Sequence, residues 1–506
     1  GGLIVCNHVA YTDPPLLLAT LERNVSFLMF KPIYDLPVVN WIARIMNAIP
    51  ISVSEGPKAV VESLRRAAAE IAGGRLAGIF AEGQLTRLGN MVRFGHGLER
   101  IMKGVQAPII PVYLDQMWGS IFSFRGGRPF FKLPKEIPYP VSVTYGAPLP
   151  PTTTAFQVRE RIQEMGAEAA LRRRRESVLL HWGFLQRLRR RPWARAAADE
   201  NRKLSSLGLG IAALVLAKRL AAKGYTGSIG VLLPPSVGGV IANVGLMFSG
   251  ALPVNLNYTA GQNQIDRMCE KCGATRIITS RVVMEKLEVK LAPELLYLED
   301  LLQEISFREK LRAGVAALFC PLWLLERILP CGKKTADSLA TIIFSSGSTG
   351  DPKGVELTHG NISSNIESIF AILQLQRDEV VVGVLPFFHS FGFAGTLWLP
   401  LLAGIGAVYH ANPLDAKRIG ELTAAHNGTL LFSTPTFLLS FICRVEPEQF
   451  ASLRYVITGA EKLTEKVATA FEERFGVYPL EGYGCTELSP VAIVNVPDYE
   501  GSSVTQ

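Results

Sequence analysis

Charge is scarce in this chain. Only 19% of its 506 residues are Asp, Glu, Lys or Arg, against about 25% in ordinary soluble domains, which excludes a disordered, charge-swollen chain. Cysteine is scarcer still. Seven scattered cysteines form no disulfide framework, so a reducing compartment is expected. Cys269-x-x-Cys272 is the one close pair, and with no second pair or His cluster beside it, metal or redox use is not expected. No stacking platform or binding motif accompanies the basic residues, so nucleic acid is not an expected partner. The sequence also lacks an initiator Met and a signal peptide, and its first residues already run into a strand. A piece of something longer is expected.

Uninterrupted membrane spans are absent too. Val380 to Tyr409 runs about thirty residues without a formal charge, long enough to cross a bilayer. Pro386, His389, Pro400 and several glycines break it into strand, loop, helix and strand. Ile229 to Leu256 is cut the same way by Pro234, Pro235 and Pro253, and buried core is expected in both. Leu311 to Leu329, "LRAGVAALFCPLWLLERIL", has charged ends and Pro321 inside, and suits an interfacial or partner-facing helix.

What is present is a somewhat apolar α/β composition, 48% hydrophobic with 46 Gly and 31 Pro, enough for two to four domains. The runs "GGLIV", "LAGIF", "APIIPVYL" and "VSVTYG" read as strands, and "PKAVVESLRRAAAEIAGG" as a helix closed by glycines. From about residue 205, "SIGVLLP", "RIITS", "LATIIFSS", "AVYH", "TLLFST" and "LRYVITG" suit strands of mainly parallel sheets covered on both faces. Three regions follow: an α/β domain over 1–155, a basic amphipathic linker over 156–204, and a second α/β domain over 205–506.

The linker holds nearly all of the net charge of +8, with 13 Arg/Lys against six Asp/Glu from Arg159 to Lys203. Its centre mixes arginines with Val178, Leu179, Leu180, Trp182, Phe184 and Leu185. It suits either a solvated linker helix or a segment lying on an anionic membrane surface.

The stretch "NHVAYTD" sets His8 and Asp13 one loop apart after a strand. A carboxylate there can fix the imidazole tautomer and stabilise the imidazolium once it takes a proton. No nucleophilic serine is needed if the substrate supplies the hydroxyl. Glu82-Gly83 follows at a strand-to-loop junction in "IFAEGQLTRLG", then Pro111 in a later strand. In that order these motifs resemble the glycerolipid acyltransferase family over residues 1 to about 150. The resemblance implies transfer of a fatty acyl group from a thioester to a lipid hydroxyl, with His8 as base, Asp13 orienting it, and Glu82 and Gly83 positioning the acceptor. Ala81 stands where the family usually has Pro, and Gln84 where Thr or Arg is usual. Val53 occupies the place of a phosphate-binding Arg, which favours a lysophospholipid over a free phosphate monoester such as glycerol 3-phosphate.

"TIIFSSGSTGDPKGVELTH", Thr341 to His359, ends a strand in a loop of small hydroxyl and glycine residues followed by Lys353. Backbone N–H groups can wrap phosphate oxygens there, with hydroxyls and Lys completing the cradle. The stretch resembles the signature of the adenylate-forming superfamily, the acyl-CoA synthetases and their relatives, and the resemblance runs from about 200 to 506. It implies ATP and Mg²⁺ as cofactors. Ser345, Ser346, Gly347, Ser348, Thr349, Gly350, Lys353 and Thr486 would hold phosphate. Gly459, Ala460, Glu461, Tyr483 and Gly484 would hold adenine, and Glu487 the Mg²⁺. His389, in "LPFFHSFGF", would stand between nucleotide and acyl tunnel. The chain ends 19 residues after Glu487, so the family's ribose-binding Asp, hinge and lid Lys are not in it, and weak ATP binding without turnover is expected.

The order of the two regions resembles the bifunctional bacterial 2-acylglycerophosphoethanolamine acyltransferase/acyl-[acyl-carrier-protein] synthetases. That implies fatty acid, acyl carrier protein (or CoA), a lysophospholipid and a membrane surface as partners, at the bacterial inner membrane with both domains facing the cytoplasm. Two alternatives stand beside it: an acyl-CoA-dependent acyltransferase fused to an acyl-CoA ligase, and a membrane scaffold with a degenerate acyltransferase half.

Overall fold

A computed structural model describes residues 1–87, 89–125, 129–134, 138–174, 178–287, 289–345, 351–373 and 375–495. The described residues divide into two units, one over Gly1–Arg173 and the other from Arg174 to residue 495.

In the first unit, short apolar runs pair in parallel: β1 (Gly2–Cys6), β2 (Val25–Phe30), β3 (Ile49–Ile51), β4 (Leu76–Ile79) and β5 (Ile109–Asp115). With β6 (Ser142–Tyr145) antiparallel at one edge, the sheet order is β3-β2-β4-β1-β5-β6. β1 sits between β4 and β5 and is buried along its length, so "GLIVC" shows no polar alternation. The helix Pro57–Ala72 starts at a proline, ends at Gly73 and buries Leu64, Ala67 and Ile71 along one face. Gly78 makes room for the Phe27 ring, which a Cβ at that position would meet at 2.4 Å. The loops after β1 and β4 therefore emerge side by side at the carboxyl edge, where open α/β sheets place their sites.

Among the described residues, the second unit holds three sheets. β9 (Ser228–Val231), β10 (Leu252–Asn255), β11 (Arg276–Thr279) and β12 (Glu294–Tyr297) form a parallel sheet in the order β10-β9-β11-β12. β13 (Leu339–Ser345) and β14 (Lys353–Thr358) form an antiparallel pair, so "LATIIFSS" does not join a parallel sheet as expected. The largest sheet runs β20-β19-β18-β17-β15-β16-β7-β8. Its members are β7 (Arg195–Ala198), β8 (Lys203–Ser205), β15 (Val380–Gly383), β16 (Gly406–Tyr409), β17 (Leu430–Ser433), β18 (Tyr455–Thr458), β19 (Leu480–Gly484) and β20 (Val491–Val494). The strands from β15 to β18 are wholly buried. Val380–Tyr409 is strand, loop, helical segment and strand, and Ile229–Leu256 is strand, helix and strand, as their breaks predict. No helix among the described residues is long and apolar enough to cross a membrane.

The expected linker is corrected by the structure. The helix Ala155–Arg174 buries Val158 and Ile162 in the first unit's core, and Arg173 pairs with Asp115 at 2.7 Å. The helix Leu180–Arg190 buries Leu180, Trp182, Phe184 and Leu185 in the second unit's main core, and β7 pairs with β16. The apolar anchors expected for a membrane are core residues; of those named, Val178 stays exposed. Several of its arginines are also occupied. Arg187 donates to the Leu402 carbonyl at 2.7 Å, and Arg189 to the carbonyls of Ala317 at 2.8 Å and Cys320. Arg175 lies outside the described residues. Arg189→Ala should therefore cost about 1.5–3 kcal/mol in chemical denaturation, the weight of a charge-assisted bond.

Candidate active sites

At the carboxyl edge of the first sheet, Asn7 locks the end of β1 to β5. Its amide nitrogen donates to the Leu114 carbonyl at 3.1 Å, and its oxygen accepts the Leu114 N–H at 2.8 Å. The chain then wraps around the fully buried Asp13. One oxygen of Asp13 accepts from the Val9 N–H at 2.7 Å and the Ala10 N–H at 2.9 Å, and lies 2.9 Å from His8 Nδ1. With Nδ1 committed to that carboxylate, Nε2 is the nitrogen left to take a proton. The imidazole stacks on Phe80 at 4.1 Å, and Phe80 stacks on Phe27 at 5.7 Å.

Glu82 faces backbone. One oxygen accepts the His8 N–H at 2.8 Å and the other the Val92 N–H at 2.9 Å, tying the His8 loop to the loop that Arg159 holds through the Val92 carbonyl. Gly83 supplies a left-handed turn, φ +70°, with its N–H on the Phe80 carbonyl. Burial pushes the Glu82 carboxyl up to about 7, against the pull of its two amide donors. A carboxyl raised in the folded state binds its proton more tightly there than in the unfolded chain. The stability it contributes is present below the ordinary 4.5 and is lost as pH rises through about 7. In Glu82→Gln, the thermal midpoint of the first unit should lose this downward slope between those values.

In the second unit His389, Gly459 to Glu461 and Tyr483 to Glu487 lie at or beyond the carboxyl ends of β15, β18 and β19 of the largest sheet, in which β17 separates β15 from β18. Gly459, Ala460 and Glu461 follow β18. A Cβ on Gly459 would come within 2.9 Å of the Gly482 carbonyl, and Ala460 holds φ +68°. Glu461 accepts the Thr436 hydroxyl at 2.6 Å. Tyr483 and Gly484 end β19, and the Tyr483 ring is exposed, free to stack on a base. Thr486 lies 3.4 Å from the Ser390 hydroxyl, one residue from His389, whose ring packs at 4.6 Å from Phe388. Asn365 clamps this turn through the carbonyls of Leu488 and Val491, at 3.2 and 2.7 Å.

Ser345 ends β13 and Lys353 opens β14, paired in register. Ser346, Gly347, Ser348, Thr349 and Gly350 lie outside the described residues. The described residues show no cluster of three or more metal-ligating side chains. The lone exposed carboxylate of Glu487 fits Mg²⁺ held mainly by substrate phosphates and water. Cys269 and Cys272 lie on the helix Gln262–Cys272. Asn7, Phe80 and Asn365 are the positioning residues missed in the sequence; only Asn7 carried a signal, as the first residue of its motif.

Residues 184–505 match the AMP-binding enzyme family, and residues 1–115 match an Acyltransferase family. The chain is 28% identical over 302 residues to 4-coumarate–CoA ligase-like 1 of Arabidopsis thaliana, covering 58% of this chain and 54% of that protein. It is 25% identical over 298 residues to a long-chain-fatty-acid–CoA ligase of Bacillus subtilis, covering 53% and 52%. The chain thus spans about half the length of these curated relatives. Among solved structures, the unliganded O-succinylbenzoate coenzyme A synthetase of Bacillus subtilis superposes with TM-score 0.51 at 20% identity, covering 62% of this chain and 61% of that one. An anthranilate CoA ligase in complex with anthranoyl-AMP gives 0.53 at 19%, covering 63% and 62%. These likenesses show the fold.

Proposed function

This chain belongs to the AMP-binding enzyme family and carries an acyltransferase region ahead of it, and from that premise we propose a phospholipid-repair enzyme with two separate sites. The second unit activates a fatty acid with ATP to an acyl adenylate and passes the acyl group to the thiol of acyl carrier protein. The first unit moves it to the free hydroxyl of a lysophospholipid of the 2-acylglycerophosphoethanolamine type. The reading places the protein at a bacterial inner membrane, facing the cytoplasm. The observation that carries it is that each unit has its own set of groups at its own sheet edge: His8 and Asp13 on one, Gly459 to Glu461 and Tyr483 to Glu487 on the other.

In the first unit, His8 Nε2 takes the proton of the lipid hydroxyl as its oxygen attacks the thioester carbonyl. Asp13 steadies the imidazolium. As the tetrahedral adduct collapses, the C–S bond breaks and the imidazolium returns its proton to the leaving thiolate. In the second unit, Tyr483 and the Gly459 backbone would receive the adenine, with Thr486 and Lys353 on phosphate and Glu487 on Mg²⁺. The metal supplies charge neutralisation on the phosphates when bound.

A donor and acceptor panel tests this. Acyl carrier protein thioester with lysophosphatidylethanolamine should be the fastest pair, and glycerol 3-phosphate should be a poor acceptor because exposed Val53 offers no cation. Equal rates with glycerol 3-phosphate would overturn the acceptor assignment, and a preference for acyl-CoA the donor assignment.

A further inference from the structure

The helix Phe307–Phe319 is built inside out. Its small residues, Ala313 and Ala317, are buried, and it packs on the helix Ser206–Ala222. Its large apolar residues face solvent at four-residue spacing: Phe307 (78% exposed), Leu311 (55%), Val315 (50%) and Phe319 (77%). The next helix, Leu322–Ile328, continues the surface with Trp323 and Ile328, both more than half exposed. A helix with only water outside would carry polar residues on that face. The flanks are basic. Arg308, Lys310 and Arg312 are exposed, and Arg327 is exposed over the Trp323 ring at 5.6 Å. Of the two acids in these helices, Glu309 is turned inward to Arg219 at 3.2 Å and to its own helix cap, and Glu326 is half-buried beside Arg327. Arg189, on the Ala317 and Cys320 carbonyls, fixes the helix end and so holds the apolar face outward.

We propose that these two helices are an in-plane docking surface for an anionic bilayer, with the apolar row at the acyl boundary and the arginines and lysine among the lipid phosphates. Charge complementarity selects a lipid surface over a second copy of this basic chain, whose matching face would repel it. The choice also rests on the reading of a lipid-acting enzyme, but docking needs no catalysis, so the two fail separately. The helix Pro37–Ile45 also exposes Val38, Trp41 and Ile45, but it carries one exposed cation, Arg44, against the four on the proposed surface, which makes that face the control.

The test is flotation of the full chain with vesicles of phosphatidylglycerol and phosphatidylethanolamine in moderate salt. Leu311→Ser/Phe319→Ser/Trp323→Ser should partition about tenfold or more below the wild type with an unchanged thermal midpoint, and Trp41→Ser should float as wild type. Wild-type binding should drop on pure phosphatidylcholine. Should the triple variant melt early, Trp323→Phe serves instead: it should bind but lose part of the fluorescence quenching by brominated lipid. Unchanged flotation of a folded triple variant, or unchanged quenching in Trp323→Phe, would overturn the proposal. So would a wild-type dimer, seen by light scattering and dissolved by the triple substitution, that ignores vesicles.

Discussion

His8→Ala should lower acyl transfer by about 10²–10⁴-fold, the weight of a positioned general base, without unfolding the site. The loop does not depend on the imidazole. Its amides at Val9 and Ala10 stay on Asp13, and the residue-8 N–H stays on Glu82. The Phe80 stacking contact and the Nδ1 bond to Asp13 are what is lost. Asp13 is different. Asp13→Ala would strip two buried amides of their acceptor, at about 1–3 kcal/mol each, so its activity loss would be mixed with destabilisation. Asp13→Asn keeps one oxygen for those amides and for Nδ1 but removes the charge that steadies the imidazolium, so it should lower turnover with a smaller change in midpoint. Turnover by His8→Ala within a few-fold of wild type would remove the base assignment.

Gly484→Ala should weaken Mg²⁺-ATP binding about fivefold or more. A Cβ there would stand 2.0 Å from the Pro490 carbonyl oxygen and 2.8 Å from its carbon, both backbone. That backbone has little room to retreat: the Cys485 N–H donates to the same carbonyl at 3.0 Å, and Asn365 holds Leu488 and Val491 on either side. Overpacking of this kind costs about 1–3 kcal/mol, and relieving it moves the turn that carries Thr486 and Glu487. Affinity for Mg²⁺-ATP by titration calorimetry should fall about fivefold or more if only the lower part of that cost, about 1 kcal/mol, falls on the bound state. Unchanged affinity would show that this turn does not hold the nucleotide.

Much of this was legible in the sequence because it is local. β1, β4, β5 and β16 to β18 are unbroken apolar runs, which only doubly covered parallel strands tolerate. The ends of those strands carry His8 and Gly459 to Glu461, so finding the strand also located the candidate site. β2 was missed: Ser26 is buried on Glu70 and Asn47, while Phe30 at the other end is exposed, so neither a solid run nor an alternation marks it. The basic segment misled for a non-local reason. Arginines interleaved with Leu, Trp and Phe look the same whether they meet lipid or a core. What decides is that carbonyls more than a hundred residues away, at Ala317 and Leu402, receive Arg189 and Arg187. Glu82 was legible as a site residue, but its two amide partners, at His8 and Val92, emerge only in three dimensions.

The most direct test of two independent sites on one chain is mass spectrometry of the phospholipid formed from acyl carrier protein thioester and lysophosphatidylethanolamine. Wild type, His8→Ala and Gly484→Ala are to be run side by side. The diacyl product should form with wild type and with Gly484→Ala, and should be missing with His8→Ala. No product from wild type, or equal product from His8→Ala, would contradict the account.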